Sequence, residues 1–234
     1  VYATVFSGFY LALMLVLFAL IFRAVSLEFW MYDDTNKGMW YKAFIVGSFL
    51  PSLLYGVALG NLIQGIPLNA DTDFAGTFFT LLRPFPLAAG LLGLSAILLQ
   101  GSTFTALKAE GKLQERARIL TSKLSIGFIV LFVLTVALGI VFVEGSASKI
   151  LAWVFCLVVL AGWFLTRQAA VNGQDWKSFL MSSLIHVGLW GMMGSLLFPN
   201  LVRAENPALN MTIYNSSSSK LTLTVMLIIA VVGM

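Results

Sequence analysis

Charge is what this sequence has least of. Charged residues fill 10% of its 234 positions, against about a quarter in soluble domains. That scarcity excludes a solvated globular domain, and a hydrophobic share of 59% says what replaces it. The chain reads as an all-α, polytopic transmembrane helix bundle, a single transmembrane domain over residues 1–234. Cysteine is nearly missing. Cys156 stands alone inside an apolar run, which rules out an intrachain disulfide and a cysteine-ligated metal. It reads as a small buried hydrophobe. His186 is the only histidine, so no second axial histidine exists for a haem. None of the 10 acidic residues falls inside an apolar run, which argues against ion coupling through the membrane.

What is present is a series of long apolar segments. Seven are visible, at residues 2–22, 43–63, 85–107, 124–143, 150–166, 178–198 and from 220 onward. The chain opens on VYATVFSGFY and closes on LTVMLIIAVVGM, both already apolar. The first and last spans are therefore expected to be cut, and the chain to be a fragment of a longer protein. The formal charge of +4 carries no nucleic-acid signal, because the basic residues sit in short connections. The connections at 23–42, 108–123 and 167–177 hold 10 of the 14 Lys and Arg. The positive-inside rule puts these three in the cytoplasm and the others outside. The 108–123 connection, KAEGKLQERARILTSK, is the most basic; topology explains it, and anionic lipid is the second reading. Asp33 and Asp34 form an acidic pair, yet nothing supplies further metal ligands, so they read as a solvated loop. The sequons NMT and NSS after residue 209 mean nothing in a prokaryotic membrane protein.

The stretch from 50 to 107 carries the unusual residues. Pro51 lies mid-span and is expected to kink the helix or free a carbonyl. Gly56 and Gly60 form GxxxG, a face that lets another helix approach closely. Asn61 and Gln64 follow, close enough to the span's end to be interfacial. Arg83 precedes Pro84 and Pro86, which predicts a helix start there. An arginine at that place is a snorkelling anchor, or else it faces an anionic group such as a lipid phosphate or a partner carboxylate. Gln100 comes late in the next span. His186 reads as hydrogen-bonded and facing another helix; haem ligation or a proton relay is the sharper reading. Helices broken at Pro51 and at Pro84–Pro86 would suit a secondary membrane transporter with a midplane site.

Several segments resemble a known family. SGFYLALMLVLFALIFRAVSLEF, GSFLPSLLYGVALGNLIQGIP, FTLLRPFPLAAGLLGLSAILLQGSTF, LKAEGKLQERAR and FPNLVRAENPALNMTIYNSSSSKLTLTVMLIIAVV are similar to subunit II of the cytochrome bd-type quinol oxidases. The likeness spans essentially the whole chain. GVALGN-x-x-x-G-x-P and RPF are its most specific pieces. The resemblance implies a subunit of about nine spans, with this chain starting between the second and third and stopping in the ninth. The family's intramembrane acids of the proton path would lie in the part before residue 1. It implies a haem-free, structural subunit of a respiratory quinol:O₂ oxidoreductase in a bacterial or archaeal cytoplasmic membrane. Haems b and d and the quinol site would belong to a partner, subunit I, packed around a pseudo-twofold axis. A structural quinone, membrane lipid and a small accessory subunit are further expected companions; a nucleic acid is not. No catalytic residue and no metal ligand is expected in this chain. Asn61, Gln64, Arg83 and Gln100 are the candidates for polar contacts in the bundle or at a quinone headgroup. A cysteine-labelling map is expected to find residues 108–123 on the cytoplasmic side, and labelling from outside would overturn this topology.

Overall fold

The computed structural model describes residues 1–71, 73–146 and 149–233. Among them are seven α-helices: α1 (Tyr2–Tyr32), α2 (Lys37–Gln64), α3 (Pro84–Lys108), α4 (Lys112–Phe142), α5 (Ile150–Val171), α6 (Asp175–Leu197) and α7 (Lys220–Gly233). The first six are long and apolar enough to cross a membrane, and α7, with 14 residues, is shorter. The all-α reading and the membrane character hold. From α1 to α6 successive helices pack as neighbours, and α3 lies in the middle, touching α2, α4 and α6. One core cluster joins Leu92, Ala96 and Leu99 of α3 to Phe128 and Phe132 of α4, Cys156 and Val159 of α5, and Ile185 of α6. Cys156 is a buried free thiol in that cluster, as its setting suggests.

Helix ends differ from the hydropathy reading, and the reason is local. α1 runs past Arg23 to Tyr32, and α2 begins at Lys37. Nothing between Arg23 and Tyr32 breaks a helix, and charges at headgroup depth are tolerated. The connection shrinks to residues 33–36. Asp33 closes it. Its carboxylate accepts bonds from the Thr35 and Asn36 backbone N–H groups at 3.1 Å and from Asn36 Nδ2 and Trp40 Nε1 at 3.0 Å. The Trp40 bond, then those from Asn36, hold this carboxyl below its usual range. Asp34 pairs with Lys37 at 2.6 Å. The acidic pair is thus a turn device, and no group of three or more metal-capable side chains occurs among the described residues.

Neither proline site gives a broken helix. α2 continues through buried Pro51. Pro84 takes the first helical position of α3, where a missing N–H costs nothing. The discontinuities on which the transporter reading rested are not found in these helices. The connection at 144–149 begins as a turn, while residues 147 and 148 lie outside the described residues.

The GxxxG face does what small residues do in a membrane. A Cβ on Gly60 would sit 2.6 Å from Pro86 Cα, and one on Gly56 would sit 2.7 Å from Gly90 Cα. Across the contact, a Cβ on Gly90 would meet Val57 Cγ2 at 2.6 Å. α2 and α3 therefore touch backbone to backbone, which gains dispersion contacts where lipid offers no hydrophobic drive. Gly60→Val is expected to cost about 1–3 kcal/mol by overpacking. Gly93→Ala, whose nearest neighbour would be Gly56 Cα at 3.7 Å, should be nearly neutral. Thermal unfolding of the two variants in detergent checks this, and equal midpoints would contradict it.

Candidate functional site

α2, α4 and α6 all end at the same side of the bundle. Each leaves its last carbonyls without an intrahelical donor, at the negative end of its dipole. Three cations fill them. Arg83 donates from NH2 to the Gly65 carbonyl, just past α2. Arg203 donates from NH1 to Ile63 O of α2 and from NH2 to Glu144 O beyond α4, both at 3.2 Å. Lys149 donates from Nζ to Leu196 O at 2.8 Å and to Phe198 O at 2.5 Å, at the end of α6. Burial, and then the Arg203 charge, push the Lys149 ammonium below its usual range.

The chain between α6 and α7 folds onto this end. Strands β1 (Asn200–Val202) and β2 (Met211–Thr212) pair antiparallel. Beside them, Ile66 N–H donates to Arg203 O at 2.9 Å and Glu205 N–H donates to Ile66 O at 3.0 Å. Gly65 makes this contact possible, since its φ of 108° belongs to the left-handed region. Ile66, Val202 and Met211 are buried there with Phe9 and Leu81.

Asn61 and Arg83 meet inside this cap. Asn61 is 0% exposed, not interfacial. The folded link after α2 and the 3₁₀ turn Phe78–Leu81 cover it. Its Nδ2 donates to Val57 O at 2.9 Å and to Leu81 O at 2.7 Å. Its Oδ1 accepts from Arg83 NH2 at 3.4 Å. Arg83 NH1 reaches the Glu205 carboxylate at 2.8 Å. Arg83 therefore faces an anionic group, a carboxylate of its own chain, and is more than a snorkelling anchor. Gln64 Oε1 and Arg83 Nε are buried there without a partner among the described residues.

Gln100 belongs elsewhere. It lies 17 positions along the chain from Arg83, about 25 Å by helical rise. Its Nε2 donates to Ser183 Oγ on α6 at 2.9 Å. Thr103 and Ser182 share a bond of 2.9 Å, and Thr121 donates to Ser102 at 2.9 Å. This ladder of short polar side chains ties α3 to α6 and α4. The four candidates thus form two separate polar clusters.

His186 lines a third feature. A cavity of about 520 Å³ opens between α2, α3, α4, α5 and α6. Leu92, Ala96, Val136, Leu189 and Met193 are among its apolar walls. The His186 Nδ1 lies 3.1 Å from Ser182 O of its own helix. A carbonyl only accepts, so Nδ1 is the donor in this bond. His186 is thus hydrogen-bonded, with its partner on its own helix, α6. None of Asn61, Gln64, Arg83 and Gln100 lines the cavity.

Sequence reasoning did not find Lys149, Arg203 and Glu205 as functional partners. A signal was present. Arg83, Lys149, Arg203 and Lys220 are the four basic residues outside the three basic connections, and the first three of them are occupied with helix ends. Arg83→Met should cost roughly 2 kcal/mol, because it strips both Gly65 O and Asn61 Oδ1 of a donor. Glu205→Gln should cost under about 1 kcal/mol, since that carboxylate is 54% exposed and screened. Thermal unfolding compares them, and an equal loss would contradict the primacy of carbonyl capping.

Comparison with known proteins adds four findings. The sequence model of the family described as Cytochrome bd terminal oxidase subunit II matches residues 1–234. The "Cytochrome bd-I ubiquinol oxidase subunit 2" of Escherichia coli K12 is 32% identical, over 99% of this chain and 71% of its own length. The "Probable cytochrome oxidase subunit 2" of Haemophilus influenzae is 31% identical over the same shares, 99% and 71%. The "Cytochrome bd ubiquinol oxidase subunit 2" of Bacillus subtilis is 27% identical over 98% of this chain and 69% of its own.

Proposed function

The chain belongs to the cytochrome bd terminal oxidase subunit II family, and from that premise we propose that it is the haem-free, structural half of the oxidase, packed against a haem-bearing subunit I. Membership makes it a subunit of a quinol oxidase complex, partnered by subunit I and multi-pass in the cytoplasmic membrane. The observation that carries the structural reading is where its polar groups go. The strongest donors near the bundle's end, Arg83, Arg203 and Lys149, are spent on this chain's own carbonyls. Buried hydroxyls of α3, α4 and α6 bond one another, as Thr103 with Ser182 and Thr121 with Ser102, or a backbone carbonyl, as Ser178 with Thr166 O. His186 also spends Nδ1 on its own helix. Such an arrangement stiffens a scaffold and leaves the redox chemistry to haems b and d in the partner. α1 supports the same reading, presenting exposed Tyr2, Phe6, Tyr10, Phe18 and Phe22 to lipid or to subunit I.

A structural quinone fits the large cavity in part. Its volume is within the range of small-molecule sites. An isoprenoid tail suits walls of aliphatic side chains and glycine. The headgroup offers ring carbonyls, which need donors. The hydroxyls of Ser52, Thr135 and Ser146 already donate to helix carbonyls. Tyr55 and Trp190, both exposed, line the cavity with an O–H and an N–H that can donate. We therefore place the tail inside and the headgroup by Tyr55 and Trp190, away from the four candidate polar residues.

Asn61→Leu and Arg83→Met are expected to lower the haem content and quinol oxidase rate of the purified complex. The chain purified alone is expected to show no Soret absorption. A Soret band in the lone chain, or unchanged spectra and rates in both variants, would sink the proposal.

A further inference from the structure

α4 is longer than a membrane requires. Its 31 residues span about 46 Å at 1.5 Å per residue, while the hydrocarbon layer is about 30 Å thick. Residues 124–142 carry no charge and account for that layer. Residues 112–123 therefore stand at headgroup depth, at the end that charge assigns to the cytoplasm.

This first part of α4 has two sides. At 3.6 residues per turn, Lys112, Arg116, Ile119 and Lys123 fall on one stripe. All four are exposed. The opposite side holds Ala117, Thr121 and Ser125, which are buried. Arg118 points toward that buried side. Its Nε and NH2 donate to the two Asp175 oxygens of α6 at 2.8 and 2.6 Å, and Gln114 donates to the same carboxylate at 2.9 Å. The Asp175 bond raises the Arg118 pKa further. One cation is thus consumed in joining two helices. Among the described residues, the side chains of Lys112, Arg116 and Lys123 have neither an ion pair nor a hydrogen bond.

Topology alone asks only for positive charge in this connection. It does not ask for three unpaired cations in line on a rigid helix, with exposed Leu113, Ile119 and Leu120 between and beside them. Cations alternating with aliphatic side chains match a leaflet surface. Phosphates lie above and acyl chains below, and long basic side chains reach up while the apolar ones reach down. Glu115 is the only acid between 112 and 123, so the stretch is strongly basic.

We propose that residues 112–123 of α4 form a binding site for anionic phospholipid of the cytoplasmic leaflet, with Lys112, Arg116 and Lys123 as the phosphate contacts. The site lies apart from the cap at the other end and from the cavity. It holds whether or not the chain is the haem-free half of the oxidase.

The test uses the purified oxidase complex in phosphatidylcholine nanodiscs, titrated with phosphatidylglycerol and read by native mass spectrometry. The variant K112Q/R116Q/K123Q is expected to bind phosphatidylglycerol about fivefold more weakly per charge removed. Its phosphatidylcholine content should not change. Lys220→Gln, on the opposite side of the bundle, should behave as the unsubstituted complex. A photo-crosslinking phosphatidylglycerol is expected to label the 112–123 peptide of the unsubstituted complex, and a phosphatidylcholine analogue is not. The labelling stands even where the triple variant fails to assemble. Unchanged affinity in the variant overturns the proposal. So does equal labelling by both lipids, or a crosslink from this stretch to subunit I with no lipid label.

Discussion

The carbonyl ends of three helices govern this structure. α2, α4 and α6 finish together, and a membrane-spanning chain cannot leave those oxygens bare near the bilayer. Arg83, Lys149 and Arg203 answer them, each from a connection and not from the helix it caps. This explains why these cations lie against the charge rule that places the rest of the basic residues. It also explains why the segment after α6 is folded. Arg203 and Glu205 are drawn to α2 and Arg83, and Ile66 is zipped between them by backbone bonds. A polar linker becomes a lid with its own small β pair.

The cap works because the helices beneath it are close. Gly56, Gly60 and Gly90 let α2 and α3 touch, which brings Asn61 to Leu81 and to Arg83. At the other end, Asp175 holds Arg118 and Gln114, locking α4 to α6. Between the two ends lies the cavity, left open where the five helices do not fill the space. A subunit tied at both ends and hollow in the middle suits a scaffold that stands beside a catalytic partner.

Much of this was legible in the sequence. Apolar runs gave the spans, because a bilayer demands long uncharged segments. GxxxG gave the α2–α3 contact, and Pro84 gave the start of α3. Helix ends were less legible, because interfacial charges do not break helices; α1 continues nine residues past Arg23 for that reason. Arg83 stood out, but its carboxylate partner lies 122 residues away, and no local pattern reports such a distance. Asn61 looked interfacial because hydropathy sees only the span's end, not the link that folds over it. Gln100 was a candidate beside Arg83 because both lie on one stretch of chain, and helical rise separates them.

The central claim is that the cap is rigid and continuous with the spans. Hydrogen–deuterium exchange of the intact complex tests it most directly. Peptides covering 60–68 and 200–212 should exchange as slowly as the middle of α3, since their amides are held by the α2 end and by Arg203 and Ile66. Exchange of those peptides within seconds, as fast as the exposed residues 214–219, would contradict it.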